Sequence, residues 1–346
     1  MAIRISVFIP VWNDAAWLPG AIESVLAQSH GSWELIVGDN GSTDDLRAVV
    51  EGYPDPRINY RRWPTHVGIF ENFNRTMELC GSEWLQALCA DDRLHPACLE
   101  RIASCVEERS LQAGRLAMVL TGCRRVGADG RPAPRESYYG FQRIKTVKPG
   151  LYSAREWLRV AAAPGAWPWN IGSVAIPREV LSESGGYFRP EVGLACDAEL
   201  MMRVAAYGDV AFIDEPLLDY TVRSDSDRPA RFDSNLSRGY RLTPIGAAYL
   251  SALQAHEERR EVTAAERAMV LSAVARSHIG RAGGHRYLSG GRGRRGALAD
   301  LARAFAYSPR TLLAPRALAF GLATLLAPRS LLIWGLALWS RRSVRA

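Results

Sequence analysis

At 346 residues the chain exceeds one average domain, and with 48% hydrophobic and 23% charged residues it can bury a core of ordinary size. Its six cysteines (Cys80, Cys89, Cys98, Cys105, Cys123, Cys196) form no CxxC pair, which argues against a disulfide framework or a zinc ribbon and reads as reduced core residues of a cytoplasmic protein. The net charge of +7 is uneven: from Arg276 onward there are thirteen arginines, no lysine and one acid, Asp300, so this stretch carries +12 and residues 1–275 carry −5 by difference. An acidic body with a basic tail points to anionic partners for the tail alone.

The apolar run at Met1–Pro10 is too short for a signal peptide, and Ile3–Pro10 reads as a buried first strand. Leu18, Ile22 and Val25 follow at helical spacing, and Trp33–Asp39 is a second buried strand. In the turn after it, Ser42 and Asp45 have capping-box spacing for the next helix. Strand Ile58–Arg62, helix Ile69–Cys80, strand Trp84–Ala90 and helix Ala97–Glu108 complete the alternation. This βαβα order predicts an α/β fold with a parallel, Rossmann-like sheet covered by helices. In such sheets ligands bind beyond the carboxyl ends of the strands, where Asp39, Asp91 and Asp92 fall. Three carboxylates gathered at one edge are costly unless a cation or donor groups neutralise them.

Residues 123–150 lack periodicity and read as a long loop or lid. Short helices and strands follow from Tyr152, and after Asp233 the pattern is helical. Near the end, the apolar runs Ala317–Ala327 and Leu331–Trp339 are bracketed by arginines. Each is shorter than the ~20 residues a membrane span needs, and the pair suits an anionic membrane interface or packing on the body. Gly291-Arg-Gly-Arg-Arg-Gly296 fits a dinucleotide-binding pattern by letter, but it follows no strand and reads as a basic hinge. No Walker lysine motif, HExxH or GxSxG is present, and the histidines have no ligand spacing.

Pro10-Val-Trp-Asn-Asp14, Gly38-Asp-Asn-Gly-Ser-Thr-Asp44, Ala90-Asp-Asp92, Gly185-Gly-Tyr-Phe188 and Asp197-Ala-Glu-Leu-Met-Met-Arg203 occur in the order found in the family-two inverting glycosyltransferases. The chain resembles that family over roughly residues 3–226. The resemblance implies a GT-A-type domain over 1–225, with a donor-nucleotide half at 1–110 and an acceptor half at 111–225. A helical extension at 226–310 and a tail at 311–346 follow. It implies transfer of a sugar from a nucleotide-sugar donor to a glycan or lipid-linked acceptor, in envelope or surface polysaccharide synthesis at the inner face of the membrane.

Residue by residue, the resemblance puts Pro10, Val11 and Trp12 beside the nucleoside, Asp39 on the base, and Asn72 and Asp91 at the donor. Asp91 and Asp92 are hard oxygen ligands suited to Mn²⁺ or Mg²⁺. The family's usual Asp-x-Asp is altered here, because Cys89 stands at the first position. Asp197 is the candidate general base and Glu199 the alternative, while Arg203 buttresses the helix or pairs with a carboxylate. Trp169 and Asn170 are candidates for acceptor binding, and Arg223 for closing on the diphosphate. Two other readings remain at this stage, a nucleotidyltransferase and an inactive sugar-binding scaffold. Nucleic-acid binding by the arginine tail is disfavoured by the tail's apolar content.

Overall fold

The computed structural model describes residues 2–110, 114–132, 147–163, 170–223, 245–288 and 294–314, together with 317, 318, 321 and 324. Its elements up to residue 222 are β1 (Ile5–Val11), α1 (Leu18–Leu26), β2 (Trp33–Asp39), α2 (Leu46–Glu51), β3 (Ile58–Arg62), α3 (Ile69–Met77), β4 (Trp84–Ala87), β5 (Arg93–Leu94), α4 (Cys98–Ser110), β6 (Leu116–Gly127), β7 (Gly150–Tyr152), α5 (Ala154–Ala162), β8 (Val174–Pro177), α6 (Arg178–Glu183), α7 (Cys196–Val204) and β9 (Asp209–Val222). Helices Ile245–Arg259, Ala264–Leu288, Arg294–Tyr307 and Pro309–Leu313 follow.

The chain divides into two compact units. The first comprises residues 1–154, 168–190 and 207–231, and the second 155–167, 191–206 and 232–346. Leu158, Ala161 and Ala162, with Ala195, Ala198 and Met202, all in the stretch sequence grouped with the first 225 residues, belong to the second unit and share its core.

The first unit is built on one sheet, ordered β3-β2-β1-β4-β8-β6-β9-β5 among the described residues, with β7 on β9. Strand β1 is central to its parallel part: Ile5, Ser6, Val7 and Ile9 are fully buried, as expected when a strand is covered on both faces. It pairs in parallel with β2 on one side and β4 on the other. The buried Ser6 is accommodated by donating to Glu34 Oε1 at 2.5 Å and accepting from the Ser82 N–H at 3.0 Å. Glycine at Gly38 is required by close packing, because a Cβ there would overlap the side chain of Thr76 on α3.

The α/β class is as the alternation predicted: β3, β2, β1 and β4 pair in parallel, and β6 and β9 pair in parallel with each other and run the same way, while β8, β5 and β7 are reversed. Strand β8 runs antiparallel to both β4 and β6, so the second half of the sheet is mixed. The loop expected over 123–150 begins later: Cys123–Gly127 continue β6, paired with Leu218–Val222 of β9. Gly122 sits at the bulge that allows this, since a Cβ there would strike the Glu215 backbone. The expected capping box is also absent. Helix α2 starts after Asp45 without a side-chain cap, and Ser42 is used elsewhere.

The second unit is helical. Leu158, Ala161 and Ala162 of α5, Ala198 and Met202 of α7, Ala248 and Ala252, and Val270, Ala273 and Val274 form its core. So many alanines at the contacts let the helix axes approach closely. Among the described residues no helix is long and apolar enough to cross a membrane. Gly291–Gly293 and most of the two apolar tail runs lie outside the described residues.

Candidate active site

The carboxyl ends of β1, β2 and β4 share one edge of the first unit's sheet. β2 and β4 flank β1, so the two strands lie about 10 Å apart, two interstrand spacings. The loop leaving β1 turns at Asn13, whose φ of 51° is left-handed, a region asparagine tolerates better than most residues. It is laced to the loop leaving β2. The Asn13 N–H donates to Ser42 Oγ at 3.0 Å, the Thr43 N–H donates to Asn13 Oδ1 at 2.8 Å, and the Ala15 N–H donates to Asp44 Oδ2 at 2.9 Å. Pro10 and Val11 close β1, and the Trp12 ring lies 4.3 Å from that of His66, tilted by 43°.

Asp39 closes β2 and is buried. Its Oδ1 accepts from the Ser42 N–H at 2.7 Å and its Oδ2 from the Tyr60 hydroxyl at 2.5 Å, with Arg62 Nε 3.4 Å away. Burial and the Asp39 charge together push the Tyr60 hydroxyl far above its ordinary range, so it remains a proton donor. Asn72 departs from expectation. It is buried, with Nδ2 donating to the Gly38 carbonyl and Oδ1 accepting from Arg75 Nε at 3.0 Å, so its side chain is committed to the protein. The cation of α3 is Arg75, which also donates to Asn40 Oδ1 and stacks over Trp63 at 4.2 Å.

After β4 the chain makes a tight turn in which the Asp92 N–H donates to the Cys89 carbonyl at 3.1 Å. This brings one ligand atom from each of Cys89, Asp91 and Asp92 within 4.8 Å of one another. Asp92 is 1% exposed. Its Oδ1 accepts from the Thr221 N–H on β9 at 2.9 Å, and its Oδ2 is buried without a hydrogen-bond partner. Burial, then the neighbouring Asp91 charge, raise the Asp92 carboxyl well above the usual carboxylate range. A buried oxygen with no donor inside a group of potential ligands is the chemistry a divalent cation fits. Asp91 and Asp92 thus stand together as expected, and Cys89 joins them instead of lying in the core.

Arg223, just past β9, is not a surface arginine. Its side chain is 8% exposed, with Nη1 2.8 Å from Asp14 Oδ1 and 3.4 Å from Asp91 Oδ2, and its guanidinium lies 4.8 Å over Trp17. Asp14 was quoted in the motif but given no role by sequence. Burial outweighs the Arg223 charge there and raises its carboxyl to about 6. Nothing local in the sequence brings residues 14, 91 and 223 together; the β5–β9 pairing does, with Arg93 opposite Asp219.

Asn170 is used by the fold: its Oδ1 accepts from the Gly172 N–H at 2.7 Å and starts a short 3₁₀ turn. Its Oδ1 thus serves the local backbone, and Trp169 lies outside the described residues.

In the second unit, Asp197 opens α7, half-buried, with Oδ1 accepting from the Ala198 N–H at 2.7 Å. Burial pushes its carboxyl up to about 6. Glu199 is a different kind of acid. It is fully buried, with Oε1 receiving Arg203 Nε at 2.8 Å and Ser251 Oγ at 2.5 Å. Oε2 also receives Arg203 Nη2 at 3.3 Å, so Glu199 is engaged by Arg203 and Ser251 within the helical unit.

Residues 6–151 match the family model described as Glycosyl transferase family 2. Over these residues the chain is similar to the family 2 glycosyl transferases. A relative in Bacillus subtilis, the putative teichuronic acid biosynthesis glycosyltransferase TuaG, is 30% identical over 130 residues, which are 37% of this chain and 50% of that protein. TarS 1–349 from S. aureus, solved with UDP, superposes with a TM-score of 0.62 at 16% identity over 99% of this chain and 89% of that one. The mannosyltransferase PcManGT from Pyrobaculum calidifontis, solved with GDP-Man and Mn²⁺, gives 0.54 at 19% over 99% and 88%. The fold is therefore that of the GT-A glycosyltransferases. The chain spans between 34% and 65% of the length of the curated relatives it matches here.

Proposed function

We propose that the chain is an inverting glycosyltransferase that moves a sugar from a nucleotide-sugar donor to an acceptor hydroxyl, with Mn²⁺ or Mg²⁺ held by Asp91 and Asp92. The observation that carries this reading is the strand-end arrangement: Asp39 at β2, Trp12 at β1, and the Asp91–Asp92 pair at β4 with an unpartnered buried oxygen. A nucleoside diphosphate has the same order of parts, base then ribose then phosphates. The ~10 Å lateral spacing between β2 and β4 suits a nucleoside laid across β1.

In this reading Pro10, Val11 and Trp12 flank the nucleoside, and the loop held by Asp39 meets the base. Asp39 contributes through the network it shares with Ser42, Tyr60 and Arg62. A divalent cation bound by Asp91 and Asp92 supplies positive charge to the departing diphosphate. Arg223 already neutralises Asp14 and Asp91, and it adds a second positive group for the same phosphates.

Asp197 is the base in this proposal. An acceptor hydroxyl becomes a useful nucleophile as its proton is removed, and a carboxyl near 6 is a stronger base than an exposed aspartate while still mostly ionised at pH 7. The acceptor class, a glycan or lipid-linked glycan of the cell envelope, follows the naming of the relatives. The tail's arginines and apolar runs support peripheral attachment to an anionic membrane from the cytoplasmic side.

The test is to incubate the purified chain with UDP- and GDP-sugars and identify the products. Release of nucleoside diphosphate with an inverted anomeric centre supports the proposal. Pyrophosphate release would make it a nucleotidyltransferase, and binding without turnover a scaffold.

A further inference from the structure

We infer that Cys89 is a thiolate ligand of the cation site, which makes the site selective for thiophilic divalent ions such as Zn²⁺, Co²⁺ and Mn²⁺ over Mg²⁺. The inference rests on the metal site proposed above and concerns which ion that site takes.

Three observations carry it. First, the sulfur is in place. The Cys89–Asp92 turn brings Sγ and one oxygen of each aspartate within 4.8 Å of one another. Two atoms bonded to one ion at ~2.0–2.3 Å lie at most ~4.6 Å apart, so only small side-chain shifts separate this arrangement from coordination. Second, Asp92 is buried, anchored through Oδ1 to the Thr221 N–H, and its Oδ2 has no hydrogen-bond partner. A cation at the group gives that oxygen a partner without new burial. Third, Cys89 is half-buried, unlike Cys80, Cys98 and Cys196, which are buried. It is open enough to exchange its proton for an ion.

The chemistry then sets the preference. On binding, the thiol proton leaves to solvent and a metal–sulfur bond forms, with no change of oxidation state. Soft sulfur donors favour zinc, cobalt and, more weakly, manganese, whereas magnesium prefers six hard oxygens and sheds water reluctantly. A site of one sulfur and two carboxylates therefore ranks ions differently from one of carboxylates alone.

Titrating the full chain with Co²⁺ in the absence of any nucleotide tests this. The expected result is a near-ultraviolet sulfur-to-cobalt charge-transfer band that is lost in Cys89→Ser while the weaker visible bands of bound cobalt persist. Competition should show Zn²⁺ displacing Co²⁺ on the order of tenfold or more better than Mg²⁺ does. In Cys89→Asp, which restores an all-oxygen set, that gap should narrow. Visible cobalt bands that vanish in Asp91→Ala but never carry charge transfer would overturn the thiolate while leaving the carboxylate site standing. No site-specific cobalt binding, with the wild-type spectrum unchanged by Asp91→Ala, would overturn both.

Discussion

Two buried carboxylates divide the molecule by purpose. Glu199, in the helical unit, is fully buried and receives donors from Arg203 and Ser251. Asp92, at the end of β4, is buried to the same degree, yet one oxygen has no partner and its nearest charged neighbour is another carboxylate. Both pay to leave water. Glu199 recovers that cost within the protein, whereas Asp92 recovers only part of it, through the Thr221 N–H, and in the proposed reading a cation supplies the rest. The same contrast separates Asn72 and Asn170, whose side-chain oxygens serve the backbone or a neighbour, from Asp91 and Arg223 at the strand ends.

The contrast can be broken at several points. The largest effect is expected at Asp197. Asp197→Asn keeps the shape but cannot take a proton, so kcat should fall by about 10²–10⁴ with donor affinity little changed. In the wild type the rate should rise with pH through about 6 and then level off, and the variant should lose that inflection. The stability sign is opposite. The folded carboxyl is raised from 3.8 to about 6, so the folded state favours the proton and stability is lost as pH rises through that window. Asp197→Asn should thus melt above wild type at pH 7 and level with it below about pH 4.

Next in size is Glu199→Ala. Leaving Arg203 buried without its acid should cost about 3–5 kcal/mol in denaturant unfolding. Folded enzyme at low temperature should keep near-normal turnover. A stable protein with abolished turnover would return Glu199 to the chemistry.

Arg223→Met should be milder, weakening UDP or GDP binding by roughly tenfold, the order of one lost charge-assisted hydrogen bond. Calorimetry of the nucleoside diphosphates would measure it, and unchanged affinity would make Arg223 a structural partner of Asp14. The smallest effect is expected from removing residues 311–346. Turnover on a soluble acceptor should persist, while retention on anionic vesicles should fall and weaken further with salt.

Much of the donor half was legible because its determinants are local. Strand β2 runs over Trp33–Asp39 as its apolar pattern indicates and Asp39 closes it, whereas β4, expected over Trp84–Ala90, stops at Ala87, so Asp91 and Asp92 lie in the turn beyond it. Ser42 was misread because its spacing to Asp45 fits a cap, whereas its hydroxyl is claimed by the Asn13 N–H from a loop 29 residues earlier. The strand at Cys123–Gly127 carries a bulge and pairs about 95 residues away, so no local periodicity announces it. Glu199 and Arg203 are spaced as an i,i+4 pair, which sequence can suggest. That their face is buried was settled by Ser251 on a distant helix. Cys89 looked like a lost acid because comparison by residue type counts it as missing, while the turn keeps it beside Asp91 and Asp92.

The cation dependence of donor binding beside β4 bears most directly on the proposed metal site. Titrating UDP and GDP into the full chain, with Mn²⁺ present and after chelation, should show binding at least about tenfold tighter with the ion for the preferred nucleotide. Asp91→Asn should remove that difference while its melting transition remains cooperative. Equal affinity with and without the ion, unaltered by Asp91→Asn, would contradict the assignment of the strand-end acids to a metal–diphosphate site.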